Sequence, residues 1–296
     1  MLLIILIIIL IFLYINNNLY ENFKINFDKP YVWVYWEGPK PPFIELCIQI
    51  MNNKLSNDFN FILLDQNNIY NYLPEIKSEF KQILNNFKIS HKVDYYRILL
   101  LEKYGGIYLD ADIIVLKSMT EFIKKLDDYD YVGFGCTGIT CFDGYGTPSN
   151  WAMISRKNGI FITKVREYQE NILNKILNGQ LKYSKNGDEL DYHFIGKLPM
   201  WNVIADLIKN NNYKYYHYDN SYTGIRDING DWVHNDKLIS NKPIEYKNPE
   251  NICFIVFYNS ETINNVEEYF KNKTKEQLIN DKTNLSIFLQ RGLDKN

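Results

Sequence analysis

The sequence predicts an α/β fold in which helices cover a mostly parallel, doubly wound sheet. Short runs of β-branched and aromatic residues alternate with longer segments whose apolar residues recur at helical spacing. Of the 296 residues, 46% are hydrophobic and 23% are charged, which excludes a wholly disordered chain. No internal repeat and no clear linker interrupts the chain after residue 30, so we expect one domain over residues 30–296.

A hydrophobic segment precedes that domain. Residues 1–15 are apolar and uncharged throughout, and polar residues first enter between 16 and 20. As a helix, these residues would span only about 22 Å, less than the roughly 30 Å of a bilayer core. We expect residues 1–20 to be an uncleaved signal anchor, in preference to a cleaved signal peptide or a buried core element. The protein would then be a single-pass membrane protein, of the Golgi or ER type in a eukaryotic host, with residues 21–29 as a short stalk.

The predicted elements follow one another from residue 31. Residues 31–36 form a strand that ends in a Glu-Gly-Pro turn, and two prolines open a helix at 41–53. A strand at 59–64 and a helix at 74–87 precede a helix at 90–104, for which Ser90 is the expected N-cap and Gly105-Gly106 the end. The remaining predictions are strands at 107–116, 131–134, 213–218 and 252–258, helices at 158–178, 200–210, 261–270 and 275–290, and loops at 135–150 and 183–198.

Charge and cysteine content exclude two classes of function. The chain has 33 basic and 35 acidic residues and a net charge of -2, so no nucleic-acid partner is expected. The four cysteines form no CxxC pair, so no zinc site is expected either. Cys136 and Cys141 are close enough in sequence to form a disulfide in an oxidising compartment, whereas Cys47 and Cys253 lie in apolar segments and should be free. The aromatic content of 16% fits a large aromatic core, which we favour, or a carbohydrate-facing surface.

Residues 90–112 carry charged side chains in a pattern that predicts chemistry. On a helix, Asp94, Arg97 and Tyr104 share one face. The diglycine then turns the chain into a strand on which Asp110 and Asp112 are expected to point the same way. Two carboxylates at the end of an apolar strand need compensation for their desolvation, which a divalent cation would supply. The alternatives are a solvated Asp-x-Asp loop and a surface salt bridge between Asp94 and Arg97.

This stretch resembles a family of sugar-transferring enzymes. It matches the D..R...YGG.Y.D.D pattern of GT-A fold glycosyltransferases, at Asp94, Arg97, Tyr104, Gly105, Gly106, Tyr108, Asp110 and Asp112. The pattern belongs to the sugar-binding-region proteins with yeast mannosyltransferase relatives, to the capsular polysaccharide synthesis proteins and, more distantly, to the clostridial glucosylating toxins. The end of the first strand, at 34–38, is similar to the W.G motif of the same family. The resemblance covers about residues 30–116 and implies a Rossmann-like GT-A catalytic domain.

The resemblance also implies a role for each matched residue. Asp112 would bind Mn²⁺ or Mg²⁺ directly, and Asp110 would bind the ion through water or hold the donor ribose. Asp94 and Arg97 would hold the donor sugar and its phosphate, and Tyr104 would belong to the same binding set.

Further candidates lie outside the matched stretch. The resemblance implies that Trp36 stacks on or borders the nucleotide base; the alternative is an aromatic at a strand end that packs in the core. Asn150 lies where relatives often place sugar or acceptor contacts. The GT-A fold often takes a further metal or phosphate ligand from near the C-terminal end of the domain, and the candidates are His193, His217 and His234 or polar neighbours such as Asn235. We expect His234 to be the best of the three because it sits in a turn-rich stretch beside Trp232; the alternative is a surface or core histidine.

Together these features predict a membrane-anchored glycosyltransferase. It would transfer a sugar from a nucleotide-sugar donor to a glycan, lipid-linked or protein acceptor, with Mn²⁺ or Mg²⁺ and with retention of anomeric configuration, as in relatives of this type. One alternative is a nucleotide-sugar- or carbohydrate-binding protein of the same fold that catalyses nothing. Another is a metal-dependent phosphohydrolase, which would require more Asp and His ligands at strand ends than the sequence contains.

Overall fold

The computed structural model describes residues 29–136, 147–184, 190–211, 213, 215–257 and 269–294. Four sequence-based predictions lie outside these residues: the hydrophobic segment at 1–20, nearly all of the stalk at 21–29, the Cys136–Cys141 disulfide, and most of the helix at 261–270. Within the described parts, no helix is both long enough and apolar enough to cross a membrane.

A six-stranded sheet forms the centre of the described structure. Its strands are β1 (Tyr31–Tyr35), β2 (Asn60–Leu64), β3 (Gly106–Asp110), β5 (Tyr131–Cys136), β6 (Thr147–Ser155) and β7 (Tyr216–Tyr218), in the order β2-β1-β3-β6-β5-β7. β1 pairs in parallel with β2 and β3, and β5 pairs in parallel with β7, whereas β6 is antiparallel to both its neighbours. The predicted α/β class with a mostly parallel sheet is therefore confirmed. The predicted loop at 135–150 is shorter than expected, because β6 begins at Thr147, where it completes the ladder beside β5.

The predicted strand at 107–116 is in fact two strands in two sheets. β4 (Ile113–Val115) pairs with β8 (Phe254–Val256) in a separate two-stranded antiparallel sheet. Ala111 and Asp112 form the turn between β3 and β4. Strand alternation therefore does not orient Asp112, and the prediction that both aspartates lie on one strand is wrong. The reason is tertiary: the chain leaves the large sheet after Asp110 to pair with a strand from the C-terminal part of the chain.

Ten α-helices with complete bounds in the described residues lie between or beside these strands: α1 (Pro42–Leu55), α2 (Ile69–Tyr72), α3 (Ser78–Asn86), α4 (Ile89–Tyr104), α5 (Thr120–Lys124), α6 (Ile160–Leu177), α7 (Lys197–Asn211), α8 (Asn235–Leu238), α9 (Lys275–Asn280) and α10 (Asn284–Leu293). The predicted N-cap of α4 is wrong, because Lys88 occupies that position and Ser90 lies inside the first turn. The predicted end of α4 is right: Gly105 has φ +71° and donates its N–H to the carbonyl of Leu101.

The diglycine also sets how closely β3 approaches β1. Gly106 has φ +95°, and a Cβ on this residue would lie 2.4 Å from the carbonyl oxygen of Tyr31. Any side chain here would push the two strands apart. The diglycine thus fixes the position of β3, and with it the place where Asp110 leaves the sheet.

Alternating residues of the strands enter two hydrophobic clusters on opposite faces of the sheet. Val32, Val34 and Leu109 belong to one cluster, whereas Trp33 and Tyr108 belong to the other. Helix α4 is buried from His91 to Leu101, which means that its charged residues are enclosed by protein. Trp33 and many other aromatic side chains are fully buried, as the core interpretation of the aromatic content predicts. The predicted free cysteines, Cys47 and Cys253, are confirmed and buried.

Candidate active site

A cleft of about 420 Å³ opens where β3 ends. This volume is within the usual range for small-molecule sites. Four predicted residues line the cleft together: Asp94 and Arg97 from α4, Asp110 from the end of β3, and Asp112 from the following turn. Other parts of the chain add Asn150, Trp151, Tyr192, His193, Lys197 and Phe257. The carboxyl end of a parallel strand is where α/β proteins commonly bind ligands.

Arg97 is the centre of a buried network in this cleft. Its Nη2 lies 3.4 Å from Asp94 Oδ1 and 3.1 Å from Asp110 Oδ1, and its Nη1 donates a hydrogen bond to the backbone oxygen of Asn150. The guanidinium also stacks on the Tyr108 ring, 4.6 Å from its centroid. Arg97 is only 5% exposed, and its Nε has no hydrogen-bond partner among the described residues, so these contacts through the two Nη atoms hold the guanidinium. The guanidinium therefore holds two carboxylates and the strand β6 in fixed positions.

Burial and charge act in opposite directions on these carboxylates. Burial raises the pKa of Asp94, while Arg97 and the amide of Asn150 oppose the rise. Burial likewise raises the pKa of Asp110 against the attraction of Arg97 and a hydrogen bond from the Tyr108 hydroxyl. For Arg97, burial disfavours the charge, but attraction by Asp110 and other groups outweighs it and the pKa is raised. The cleft thus concentrates negative charge that a bound cation would stabilise.

Asp110 and Asp112 have the chemistry of a hard-cation site. Both carboxylates are half-buried and border the same cleft, and the charge of Asp112 contributes to raising the pKa of the nearby Cys47 thiol, after burial. Among the described residues, no group of three or more His, Cys, Asp or Glu side chains is arranged to hold a metal ion. Mg²⁺ sites that use one or two carboxylates together with substrate phosphates need no such group. The donor set therefore fits a cation shared with a phosphorylated substrate.

The Asp94 carboxylate also contacts residues far away in sequence. The Asn150 side chain donates a 2.8 Å hydrogen bond to Asp94 Oδ1, which places this predicted contact residue in the cleft. A Cβ on Gly196 would lie 2.3 Å from Asp94 Oδ2, so only a glycine lets the backbone approach this carboxylate. Sequence reasoning missed Gly196, Lys197 and Tyr192, since no local pattern relates residues 190–197 to residue 94.

The histidine of the cleft is His193, whereas we expected His234 to be the better candidate. His193 lines the cleft, and burial followed by the charge of Lys197 lowers its pKa. His234 instead occupies the N-cap position of α8, its ring 6.5 Å from that of Trp232, and is not among the residues that line the cleft. The structure therefore offers His193, not His234, as the imidazole close to the acidic residues. The physical reason is that residues 190–197 fold back onto α4.

Trp36 and Tyr104 lie outside the cleft. Trp36 follows β1 at the same edge of the sheet, where its Nε1 donates a 3.1 Å hydrogen bond to the carbonyl of Pro39. Stacking of Trp36 on a nucleotide base stays a prediction. Tyr104 is ten residues beyond Asp94 on α4, about 15 Å along the helix axis. Its hydroxyl donates to the carbonyl of Tyr72 and its ring packs against Trp33, so the structure gives it no contact with the cleft.

The mixed sheet and the acidic cleft at its strand ends agree with the resemblance of residues 94–112 to GT-A fold glycosyltransferases. More particularly, the chain belongs to the capsular polysaccharide synthesis protein family, whose sequence profile matches residues 13–231. The chain is also 32% identical over 81 residues to an uncharacterized glycosyltransferase, L373, of Acanthamoeba polyphaga mimivirus. That alignment spans 27% of this chain and 30% of the relative.

Solved glycosyltransferase structures resemble the chain only distantly. The PaToxG glycosyltransferase superposes with a TM-score of 0.43 and 16% identity, over 62% of this chain and 70% of that one. The apo form of the glycosyltransferase GlyE of Streptococcus pneumoniae TIGR4 superposes with a TM-score of 0.38 and 16% identity, over 88% of this chain and 62% of that one.

Proposed function

We propose that the chain is a glycosyltransferase that transfers a sugar from a nucleotide-sugar donor to an acceptor with the aid of Mn²⁺ or Mg²⁺. The observation that carries the proposal is that Asp110 and Asp112 line one cleft together with the buried Asp94–Arg97 pair. The family of the chain and the mimiviral relative support the same activity. Among the expected acceptors (glycan, lipid-linked sugar or protein), the family description favours a growing polysaccharide.

Asp110 and Asp112 would hold the cation. When bound, the cation would neutralise the diphosphate leaving group as the bond between sugar and phosphate breaks. Arg97 would act by orienting Asp94 and Asp110, because its Nη atoms already contact those carboxylates and the Asn150 backbone. Lys197, which lines the same cleft, would attract the anionic phosphates of the donor.

We further propose that the reaction retains anomeric configuration, in keeping with the enzymes that the 94–112 motif resembles. Asp94 would contact hydroxyl groups of the donor sugar, since it lines the cleft, is buried and accepts a hydrogen bond from Asn150. We assign no general base, because retention of this kind is usually explained by attack on the same face from which the leaving group departs. A phosphohydrolase is disfavoured by the lack of a larger metal-ligand cluster in the described residues.

A screen of nucleotide-sugar donors tests the proposal. Each donor is incubated with the full-length protein, with and without Mn²⁺, and released nucleotide is measured. We expect release from one donor or a few closely related donors, and loss of that release when the metal is chelated. A protein that only binds nucleotide sugars would give metal-dependent binding without release. Asp128→Asn is the control for effects of protein preparation on nucleotide release, since Asp128 is an exposed residue that does not line the cleft.

We also propose that residues 1–20 anchor the protein in a membrane as a single-pass segment. Removing these residues is expected to yield a chain that stays in the supernatant after high-speed centrifugation and keeps its donor turnover. The reason is that every residue of the cleft lies beyond residue 89. Failure of the shortened chain to fold, measured by circular dichroism, would mean that the apolar segment belongs to the core.

A further inference from the structure

The residues 190–197 form one wall of the cleft, and a single buried side chain joins this wall to the helix that carries Asp94. We call residues 190–197 the wall segment. Tyr192, His193 and Lys197 of this segment line the cleft. Gln169, on helix α6, is fully buried, and its Nε2 donates to two backbone oxygens, that of Asp94 at 2.9 Å and that of Ile195 at 2.6 Å.

The position of these two carbonyls explains what the amide controls. The first belongs to Asp94 itself, and the second belongs to the residue just before Gly196, whose backbone touches the Asp94 carboxylate. The two N–H bonds of one amide therefore fix the distance between Asp94 and the wall segment. A primary amide presents two donors from one nitrogen without carrying a charge, whereas an apolar side chain of the same size presents none.

The environment of Gln169 favours this role over simple core packing. Its neighbours on the buried face of α6 are apolar, among them Val165 and Leu173, and its Oε1 has no hydrogen-bond partner within the part of the chain that the structure describes. Burying an unpaired amide oxygen is unfavourable, so an aliphatic residue would satisfy the core better. The wall segment is also held by His91, whose Nε2 lies 3.0 Å from the carbonyl oxygen of Tyr192. Helix α4 thus fixes the wall at two points, one directly and one through Gln169.

We propose that Gln169 is a positioning residue that sets the width of the gap between Asp94 and the wall segment, and thereby the affinity of the cleft for its donor. The part of this proposal that concerns donor affinity rests on the proposed function. If the wall moves, the binding-competent geometry is populated for only a fraction of the time, and the apparent affinity falls by that fraction. The turnover number kcat, which describes enzyme molecules that already hold the donor, changes less.

The test compares Gln169→Met with Asn284→Leu. Asn284 is a matched control because it is also buried and its Nδ2 donates to three carbonyls, those of Lys237, Ser240 and Lys242, which lie outside the cleft. Thermal unfolding of the full-length protein measures the stability of each variant. Hydrogen–deuterium exchange of residues 190–197 measures the mobility of the wall without any ligand. For a donor found in the screen, KM and kcat are then measured separately.

We expect Gln169→Met to accelerate exchange in the wall segment and to raise the KM for the donor by about tenfold, with a smaller change in kcat. Asn284→Leu should lower stability without changing either quantity. Gly196→Ala tests the same gap from the other side, since its methyl group would meet the Asp94 carboxylate, and it should also raise KM.

Unchanged exchange in the wall together with an unchanged KM in Gln169→Met would overturn the proposal. An equal effect of Asn284→Leu on exchange and KM would overturn it as well, since the response would then report only lost stability. If Gln169→Met does not fold, the KM of Gly196→Ala tests the proposal instead. A wild-type KM in Gly196→Ala would mean that the gap between Asp94 and the wall segment does not control donor affinity. If the wild-type protein turns over no donor, the proposed function fails, whereas the exchange measurement still decides whether Gln169 positions the wall.

Discussion

Replacing Asp112 by asparagine is expected to lower the rate of sugar transfer by about 1,000-fold or more, which corresponds to about 4 kcal/mol of lost transition-state stabilisation. A neutral amide is a poorer ligand for a hard cation than a carboxylate of the same shape. Because the side chain lies in a turn and is only half-buried, the fold should persist. The measurement is donor turnover over a titration of Mn²⁺, together with thermal unfolding of the variant.

Asp128→Asn serves as the control, because it removes an equal charge at an exposed position that does not line the cleft. It should leave both turnover and metal dependence unchanged. Near wild-type turnover of Asp112→Asn at saturating Mn²⁺ would contradict the role of Asp112 as a metal ligand. Weak residual turnover that saturates only at much higher Mn²⁺ would support it, since the affinity for the ion would then be the quantity that has changed.

Arg97→Lys is expected to lower kcat/KM by about ten- to a hundred-fold, although the charge is conserved. A single ammonium group is a compact point charge, and the guanidinium that it replaces contacts Asp94, Asp110 and the Asn150 carbonyl through a planar fork. The loss of one hydrogen bond between charged groups is worth about 1.5–3 kcal/mol, which sets this range. The two carboxylates would also be held less firmly, so their mutual repulsion would widen the cleft.

The pH dependence distinguishes this role from simple packing. The attraction of Arg97 opposes the raised pKa of both Asp94 and Asp110, so a more distant positive charge lets each pKa rise further. The ionised carboxylates would then be present only at higher pH, and the acidic limb of the rate profile should move upward. Tyr104→Phe, on the same helix but away from the cleft, should leave the profile unchanged. Wild-type kinetics and an unmoved acidic limb in Arg97→Lys would reduce helix α4 to a packing element.

Local sequence patterns were sufficient to predict the helix and strand that carry most of the acidic cleft. The helical spacing of Asp94 and Arg97 and the stop at Gly105 depend on neighbouring residues only, and the structure agrees with both. Strand alternation failed at Asp112, because the choice between continuing β3 and starting β4 is made by β8, a distant partner strand. A pattern within ten residues holds no information about that partner.

The wall segment could not be predicted from the sequence for a related reason. His193 reaches the cleft because Gln169 and Gly196 tie the 190–197 segment to α4, and these contacts join residues from three separate parts of the chain. The turn-rich composition around Trp232 favoured His234 as the third metal or phosphate ligand. Composition, however, indicates local conformation and does not indicate where a residue lies in the folded protein. The contact of Arg97 with the donor, which the resemblance implies, stays a prediction; the structure adds contacts to two protein carboxylates and a backbone carbonyl that the sequence did not indicate.

The pairing of β4 with β8 has a consequence for the order in which the protein becomes functional during its synthesis. Ile113, one residue after Asp112, pairs with Val256, and β8 lies well beyond residue 231, where the match to the family ends. A ribosome-bound chain can therefore display Asp94, Arg97 and both aspartates while the strand that fixes the turn at Asp112 is still inside the exit tunnel. Contacts between such distant residues form late in folding. The proposed site for a divalent ion would thus be complete only after Val256 has left the exit tunnel.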